Sequence, residues 1–390
     1  MPRLELGIDQ YTLTCFSAEI AKMQSNPEDK HLNSDFWASY TNFVLNDLLK
    51  RSKLEDVFGE NIVTMQYGLT QGYDCGYTFE HYKVAICWHS NFAFWRMGVS
   101  LRFSAEAWHT YCDNYRCKYN KPMNMVTFLQ QIPDNHVYTT RLSRIDLTAD
   151  CFDYDNISPE YIHEGLSNGY ILALNSDGAV PFRTIRAIET NGIHETIELG
   201  SKQSPVFVVL YNKRAESIAK HGYRYDDAIR CKSWMRIEVR FHDELAHQIS
   251  YDLKCMQPKE LKAYIAKRIV ERYGFYSNNT HNTPIPVTKD LLDIADGCPY
   301  GSLSSPTPRD NDLIRSRDYL TSTSGLFSWL FKIRMTYDDV PGADRIAMDF
   351  LFDVYQRAYL PDAYSNYELT RWLDVHRTES RKRTLQQLLV

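Results

Sequence analysis

A faint internal duplication governs how this chain can be built. Gly7-Ile8-Asp9 opens an extended stretch, 7–16, and Ser143-Arg144-Ile145-Asp146 opens another, 143–152. Further along, Met97, Arg102, Phe103 and Glu106 recur with the spacing of Met235, Arg240, Phe241 and Glu244, and the apolar positions between them match. The interval from Asp9 to Met97 equals that from Asp146 to Met235 to within one position. Paired echoes at a shared interval mark a repeated supersecondary unit. The sequence therefore predicts an α+β fold: two related halves with antiparallel sheets, adjacent or continuous and flanked by helices, plus a C-terminal helical region.

Segments 144–152, 195–200, 205–213 and 234–241 are rich in β-branched or aromatic residues and predict strands. Segments 159–167 and 258–273 show helical spacing, with Pro159 and Pro258 in the first turn. Amphipathic helices are expected over 17–23 and 35–51. Between 278 and 312 the composition shifts to Asn, Thr, Pro, Ser and Gly, which predicts a linker. The expected organisation is an N-terminal half at 1–142, structural or DNA-binding, and a half carrying the chemistry at 143–277. The linker follows at 278–312 and a helical region at 313–390. The basic end, Arg381-Lys382-Arg383, suits either a phosphate contact or a solvated helix end.

Net charge is −5, which excludes a uniformly basic coat for nucleic acid but leaves room for a local basic groove. The 27 Tyr, 18 Phe and 7 Trp supply core rings and would equally supply a surface that stacks on single-stranded bases. Nine Cys without a CxxC pair read as reduced thiols, not as a disulfide framework or zinc site. The opening residues lack an apolar h-region, and no apolar run approaches the ~20 residues of a membrane span, so a cytoplasmic protein with no membrane partner is expected. His242 and His247 lack the two-His metalloprotease spacing, because Asp243 precedes Glu244. No His-hydrophobic-His motif, P-loop or small-molecule cofactor motif occurs, so helicase work falls to a partner.

Strand alternation sends neighbouring side chains to opposite faces. Asp146, Thr148 and Asp150 then share a face, as do Arg236, Glu238 and Arg240, and as do Tyr211 and Lys213, while Glu198 opposes Ile197 and Leu199. Paired in one sheet, these strands gather carboxylates, a phenol and cations on a single polar surface. A surface meeting water shows the same alternation. The gathered set is also what phosphodiester chemistry requires. A tyrosine hydroxyl, with a reference pKa of about 10, needs an adjacent cation to become a nucleophile. A divalent metal on carboxylate oxygens would polarise the scissile phosphate.

The run from Glu195 to Glu216, with Gly200-Ser201-Lys202 and Tyr211-Asn212-Lys213, resembles the central motif of the replication initiation factor family. These are trans-acting initiators of rolling-circle plasmids, with relatives in filamentous phages and conjugative elements. The runs 143–150 and 235–240 resemble the flanking motifs in the family's order, and 7–14 and 98–103 extend the likeness over most of 5–245. The resemblance implies an origin-specific enzyme that nicks one strand, stays on the 5′ phosphate through tyrosine and leaves a 3′ hydroxyl for a polymerase. It implies Tyr211 as nucleophile with Lys213 beside it, and Asp146 and Glu238 as ligands of Mg²⁺ or Mn²⁺. Asp150 and Glu198 match further positions of the metal-holding set, and Lys202, Arg214, Arg236 and Arg240 are candidates for DNA contact.

Three departures bear on this. Val208, Val209 and Leu210 stand where the family often has an Arg, a place that Arg214 or Arg240 would have to fill. Asn212 stands where Asp is common, and Tyr223 and Tyr225 remain alternative nucleophiles. In the first half Ser100 occupies the place of Glu238 and no Tyr-Asn-Lys run occurs, so only the second copy is expected to be catalytic. Expected partners are origin DNA, single- and double-stranded, a host helicase and polymerase, and a second copy in a homodimer. A conjugative relaxase shares the chemistry, and a noncatalytic DNA-binding replication regulator shares the fold.

Overall fold

The computed structural model describes residues 2–17, 34–70, 72–155, 157–182, 184–190, 193–202, 204–303 and 325–359, with the isolated positions 320, 377 and 384. Most of the helix expected at 17–23, the end of the expected linker and the whole basic end Arg381-Lys382-Arg383 lie outside them.

The first half begins with strand β1 (Arg3–Ser17) and helices α1 (Ser34–Ser52) and α2 (Leu54–Phe58). Strands β2 (Ile62–Thr64), β3 (Cys75–Phe79), β4 (Val84–Trp88) and β5 (Val99–Phe103) follow, then helices α3 (Ala105–Tyr119) and α4 (Met125–Gln131). The second half opens on β6 (Tyr138–Phe152), α5 (Pro159–Asn168), β7 (Ile171–Leu174), β8 (Ile185–Thr190), β9 (Ile193–Leu199) and β10 (Val206–Asn212). Next come α6 (Lys213–Lys220), α7 (Tyr225–Arg230), β11 (Trp234–His242), α8 (Asp243–Cys255) and α9 (Leu261–Arg272). It closes on β12 (Gly274–Ser277), β13 (Thr283–Pro284) and α10 (Pro286–Ala295).

Ten strands make one antiparallel sheet in the order β2-β3-β4-β5-β1-β6-β11-β10-β9-β8. Read outward from the β1/β6 seam, each arm places its first strand innermost, its last strand next, and the others in reverse chain order. A helix pair, α3–α4 or α8–α9, follows the last strand of each arm. The duplication in sequence is thus a duplication of topology, fused across a long antiparallel pairing that runs from Arg3↔Phe152 to Ser17↔Tyr138.

One face of the second arm is apolar. Leu147, Ala149, Ile237, Val239, Val208, Leu210, Ile197 and Leu199 are buried there, in one core with Leu245, Ile249 and Leu253 of α8 and Ile265 and Ile269 of α9. Each such side chain contributes about 1.5–3 kcal/mol by leaving water. In the first arm aromatic rings do this work: Tyr11 meets Phe103 and Trp108, each with centroids 5.1 Å away. The Pro- and Asn-rich stretch from 278 is partly folded. Pro286 sits in the first turn of α10, where a missing N–H costs no helix bond, and buried Val287 and Leu291 anchor the helix. Pro258 likewise opens a 3₁₀ turn, Pro258–Glu260, that leads into α9.

Met1–Ser305 forms one compact unit and Pro306–Val390 a second. In the second, α11 (Leu326–Thr336) packs on α12 (Ala343–Val354), which runs into a π-helical turn at Tyr355–Tyr359. No described helix is long and apolar enough to cross a membrane.

Candidate active site on the polar face of the sheet

Register fixes which side chains meet. Between β6 and β11, Asp146 faces Arg240, Thr148 faces Glu238 and Asp150 faces Arg236. Between β11 and β10, Glu238 faces Val209 and Arg236 faces Tyr211, and Val209 in turn faces Glu198 on β9. Paired residues share a side of the sheet. The phenol, four acids and two arginines therefore rise from the surface opposite the apolar core. An open cleft of about 1200 Å³ lies over them, lined by Asp146, Glu198, Tyr211, Lys213, Glu238 and Arg240. The first half supplies Asp9, Lys83 and the start of α3 to its wall. At one end of this face α6 and α7 pack down through a small apolar cluster in which Ile218, Ala228 and Cys231 meet Phe152 and Trp234.

Tyr211 is the penultimate residue of β10, with Asn212 between it and the start of α6. Asn212 accepts a hydrogen bond from the Ala215 amide and caps that helix. Asn and Asp cap almost equally well, so the departure at 212 preserves the turn that aims the phenol. The Tyr211 hydroxyl donates to Glu238 Oε2 at 3.1 Å. Burial, then the Glu238 charge, pushes this phenol well above its ordinary value, and the Arg236 charge only partly offsets them. Lys213 stands beside the phenol and pairs with an acid of its own helix. Its ammonium lies 5.5 Å from the centre of the Tyr211 ring and binds Glu216 at 2.6 Å. The phenol is thus held protonated, with a carboxylate as its acceptor.

The acids fall into two kinds. Asp146, 1% exposed, takes two hydrogen bonds from Arg144, at 2.9 and 2.6 Å. Burial raises its pKa despite Arg144, and Asp9 adds to the rise. Glu238 is raised by burial, then by Asp146 and Asp9, although Arg240 donates to its Oε1 at 2.7 Å. Burial is the leading cause for both carboxyls, and the Asp146 charge adds to the rise at Glu238. Asp150 is the opposite case. Burial works against its charge, yet Arg236, Arg224 and the Trp234 indole together hold its carboxyl below the ordinary range. Its oxygens accept from Arg236 Nε at 2.6 Å and Nη2 at 2.8 Å, from Arg224 at 2.8 Å and from Trp234 at 2.8 Å.

This spent acid does not line the cleft, and neither does Arg236, which is 2% exposed and also binds Asp9 at 2.5 Å. Arg214 is likewise committed, donating to the carbonyls of Ala228 and Cys231 and so tying α6 to α7. Glu198 lines the cleft but pairs with Lys202 at 2.8 Å, and Lys202 keeps 61% of its side chain exposed. Arg240 stands over Phe207 beside the acids, while Val208 and Leu210 point into the core.

The donor set fits a hard divalent cation in part. Such ions take carboxylate oxygens, and Mg²⁺ in particular is held by one or two of them, with substrate phosphate and water completing the shell. Asp146 and Glu238 supply that pair, each already bonded to an arginine, Arg144 and Arg240. Among the described residues no three acidic, His or Cys side chains converge as a ready-made cage. Asp9, which the motifs did not single out, is the nearest addition. The register shift between Ile8 and Tyr11 bulges β1 at Asp9 and Gln10, opposite Asp146. Its signal in the sequence was the duplication: Asp9 is the first half's counterpart of Asp146.

Comparisons with known proteins agree with this architecture. Residues 140–289 match the family model described as replication initiation factor, so the likeness carried by the motifs holds over the second half. Among solved structures, the chain is similar to a rolling circle replication initiator protein from Geobacillus stearothermophilus. The TM-score is 0.50 at 15% identity, covering 75% of this chain and 97% of that one. No curated protein matches the sequence. The large antiparallel sheet with flanking helices is the fold of that initiator.

Proposed function

We propose that this chain, with its replication initiation factor segment and initiator fold, starts rolling-circle replication by nicking one strand of an origin through Tyr211. The observation that carries the reading is the Tyr211–Glu238 hydrogen bond at the floor of a cleft open enough to admit a DNA strand. As the phenol oxygen bonds to phosphorus, its proton passes to Glu238. The bond from phosphorus to the 3′ oxygen breaks, and that oxygen takes up a proton to leave as a free hydroxyl. One phosphodiester is exchanged for another, so the 5′-phosphotyrosine retains the energy needed for later rejoining. Glu238 and Asp146 would hold Mg²⁺ or Mn²⁺, which supplies charge stabilisation at the phosphate. Arg240 and Lys202 contact the DNA backbone, Lys213 orders the start of α6, and Asp150 with Arg236 braces the floor.

The test is to incubate the protein with supercoiled DNA carrying candidate origins and either metal. Open-circular product with protein on its 5′ end is expected, and Tyr211→Phe should abolish the adduct. An adduct that survives this change removes Tyr211 from the role. Binding without cleavage on every origin would favour the noncatalytic regulator, and cleavage only at a transfer origin the relaxase.

A further inference from the structure

The turn between α6 and α7 carries an aromatic side chain that the nicking chemistry does not use. Tyr223 lies on the wall of the cleft and keeps 42% of its surface exposed, unusual for a ring so firmly held. Its position is fixed from both sides. Arg224, next in the chain, binds Asp150, Glu5 and Asp227 at 2.7–2.8 Å and lies over the Trp234 ring. Across the cleft wall, the imidazole of His109 on α3 stacks on the Tyr223 ring, with centroids 4.6 Å apart and planes 29° from parallel. Burial lowers the His109 pKa, so the stack is uncharged at neutral pH. The Tyr223 side chain stacks on His109 and lies within the field of Arg236, Asp9 and Arg224. It shares the cleft lining with Lys220 and Lys213, both paired with Glu216, and with Lys83, paired with Glu106.

We propose that the His109–Tyr223 pair is a binding subsite for one unstacked nucleobase of the strand lying in the cleft. The inference rests on the nicking function proposed above and adds to it the ligand of this wall. A π-face accepts any base, and the flanking ammonium groups suit the phosphates on either side of it. A base still stacked in a duplex has no free face to offer. The subsite therefore favours single-stranded over double-stranded DNA without reading sequence, and both halves of the chain are needed to build it.

The experiment uses the full chain with Tyr211→Phe, so that no cleavage occurs, and two fluorescein-labelled probes of equal length. One is oligothymidylate and the other an abasic deoxyribose phosphate oligomer. The anisotropy ratio of the two affinities isolates the base contribution from the phosphate contribution. Adding Tyr223→Ala or Tyr223→Leu should lower that ratio on the order of ten-fold, while Tyr223→Phe leaves it unchanged. Tyr223→Leu keeps bulk in the turn, and its melting temperature checks that the fold survives. The proposal is overturned by an unchanged ratio in both Ala and Leu variants. It is equally overturned by a loss in the Ala variant alone, or by a loss on Tyr223→Phe, which would assign the role to the hydroxyl. Failure of the parent chain to bind either probe sinks the subsite and the function together. A normal ratio effect in a chain that forms no adduct on any origin sinks the function alone.

Discussion

The Tyr211 hydroxyl and Glu238 Oε2 meet at 3.1 Å from neighbouring strands, a donor held protonated beside an acid whose own pKa is raised. Glu238→Gln keeps the shape and the hydrogen-bonding reach but removes the proton acceptor. Single-turnover nicking is expected to fall by about two to four orders of magnitude. Rapid-quench assays measure the loss, and an unchanged circular dichroism spectrum separates it from unfolding.

The Asp150–Arg236–Arg224 network is a brace, with Asp150 and Arg236 buried and Arg224 half-buried. Asp150→Asn leaves two guanidinium groups short of their counter-charge and should destabilise the protein by about 3–5 kcal/mol at neutral pH. Urea melts of both proteins read this directly, and a change under 1 kcal/mol would refute the assignment.

The same network sets an acid limit. Asp150 is held below the ordinary carboxylate value, and so is Asp134, where Lys254 and Thr140 outweigh the burial that would raise it. A depressed folded pKa contributes stability that is fully present above the unfolded value, about 4. That contribution is lost as pH falls from there through the folded values. Melting temperature should therefore drop steeply below about pH 4, and more shallowly for Asp150→Asn.

Arginines and lysines of the polar face should separate by salt dependence. Lys202→Gln removes an exposed cation and should reduce the slope of log affinity against log salt by about 0.7–0.9. Arg236→Gln, whose wild-type guanidinium is enclosed, should leave the slope unchanged and lower the melting temperature instead. Affinity titrations across a salt series, paired with melts, distinguish the two outcomes.

Metal binding is testable without turnover. Mg²⁺ or Mn²⁺ at a hundred times its dissociation constant stabilises a folded site by about 2.7 kcal/mol. Wild-type protein should melt higher in that cation and lower again after chelation. Asp146→Asn should abolish the shift.

Much of this arrangement is legible from residue order. Alternation along 145–150, 206–212 and 236–241 assigns Asp146, Tyr211 and Glu238 to polar positions, because a sheet with one covered face allows few other registers. Duplicated motifs likewise announce two arms of equal topology. What residue order does not carry is the partnership of each charge. Asp150 and Asp146 occupy equivalent alternation positions. Only the fold shows that Arg236 and Arg224, the latter from a turn far along the chain, hold the first below the ordinary carboxylate range, whereas burial raises the second despite Arg144. Asp9 escaped notice because a bulge, invisible to strict alternation, turns it towards Asp146. The ion pair of Lys213 is hidden for a related reason: its ammonium meets Glu216 one helical turn on, a contact created by α6 starting where it does.

The seam between β1 and β6 carries a practical warning for anyone dissecting the molecule. Strand β6, which carries Asp146, lies between β11 of its own half and β1, the first strand of the other half. A fragment beginning at residue 143 would strip that neighbour away. It would bare a long row of unpaired amides and carbonyls and invite edge-to-edge aggregation. Excising the chemistry means keeping the scaffold that looks dispensable.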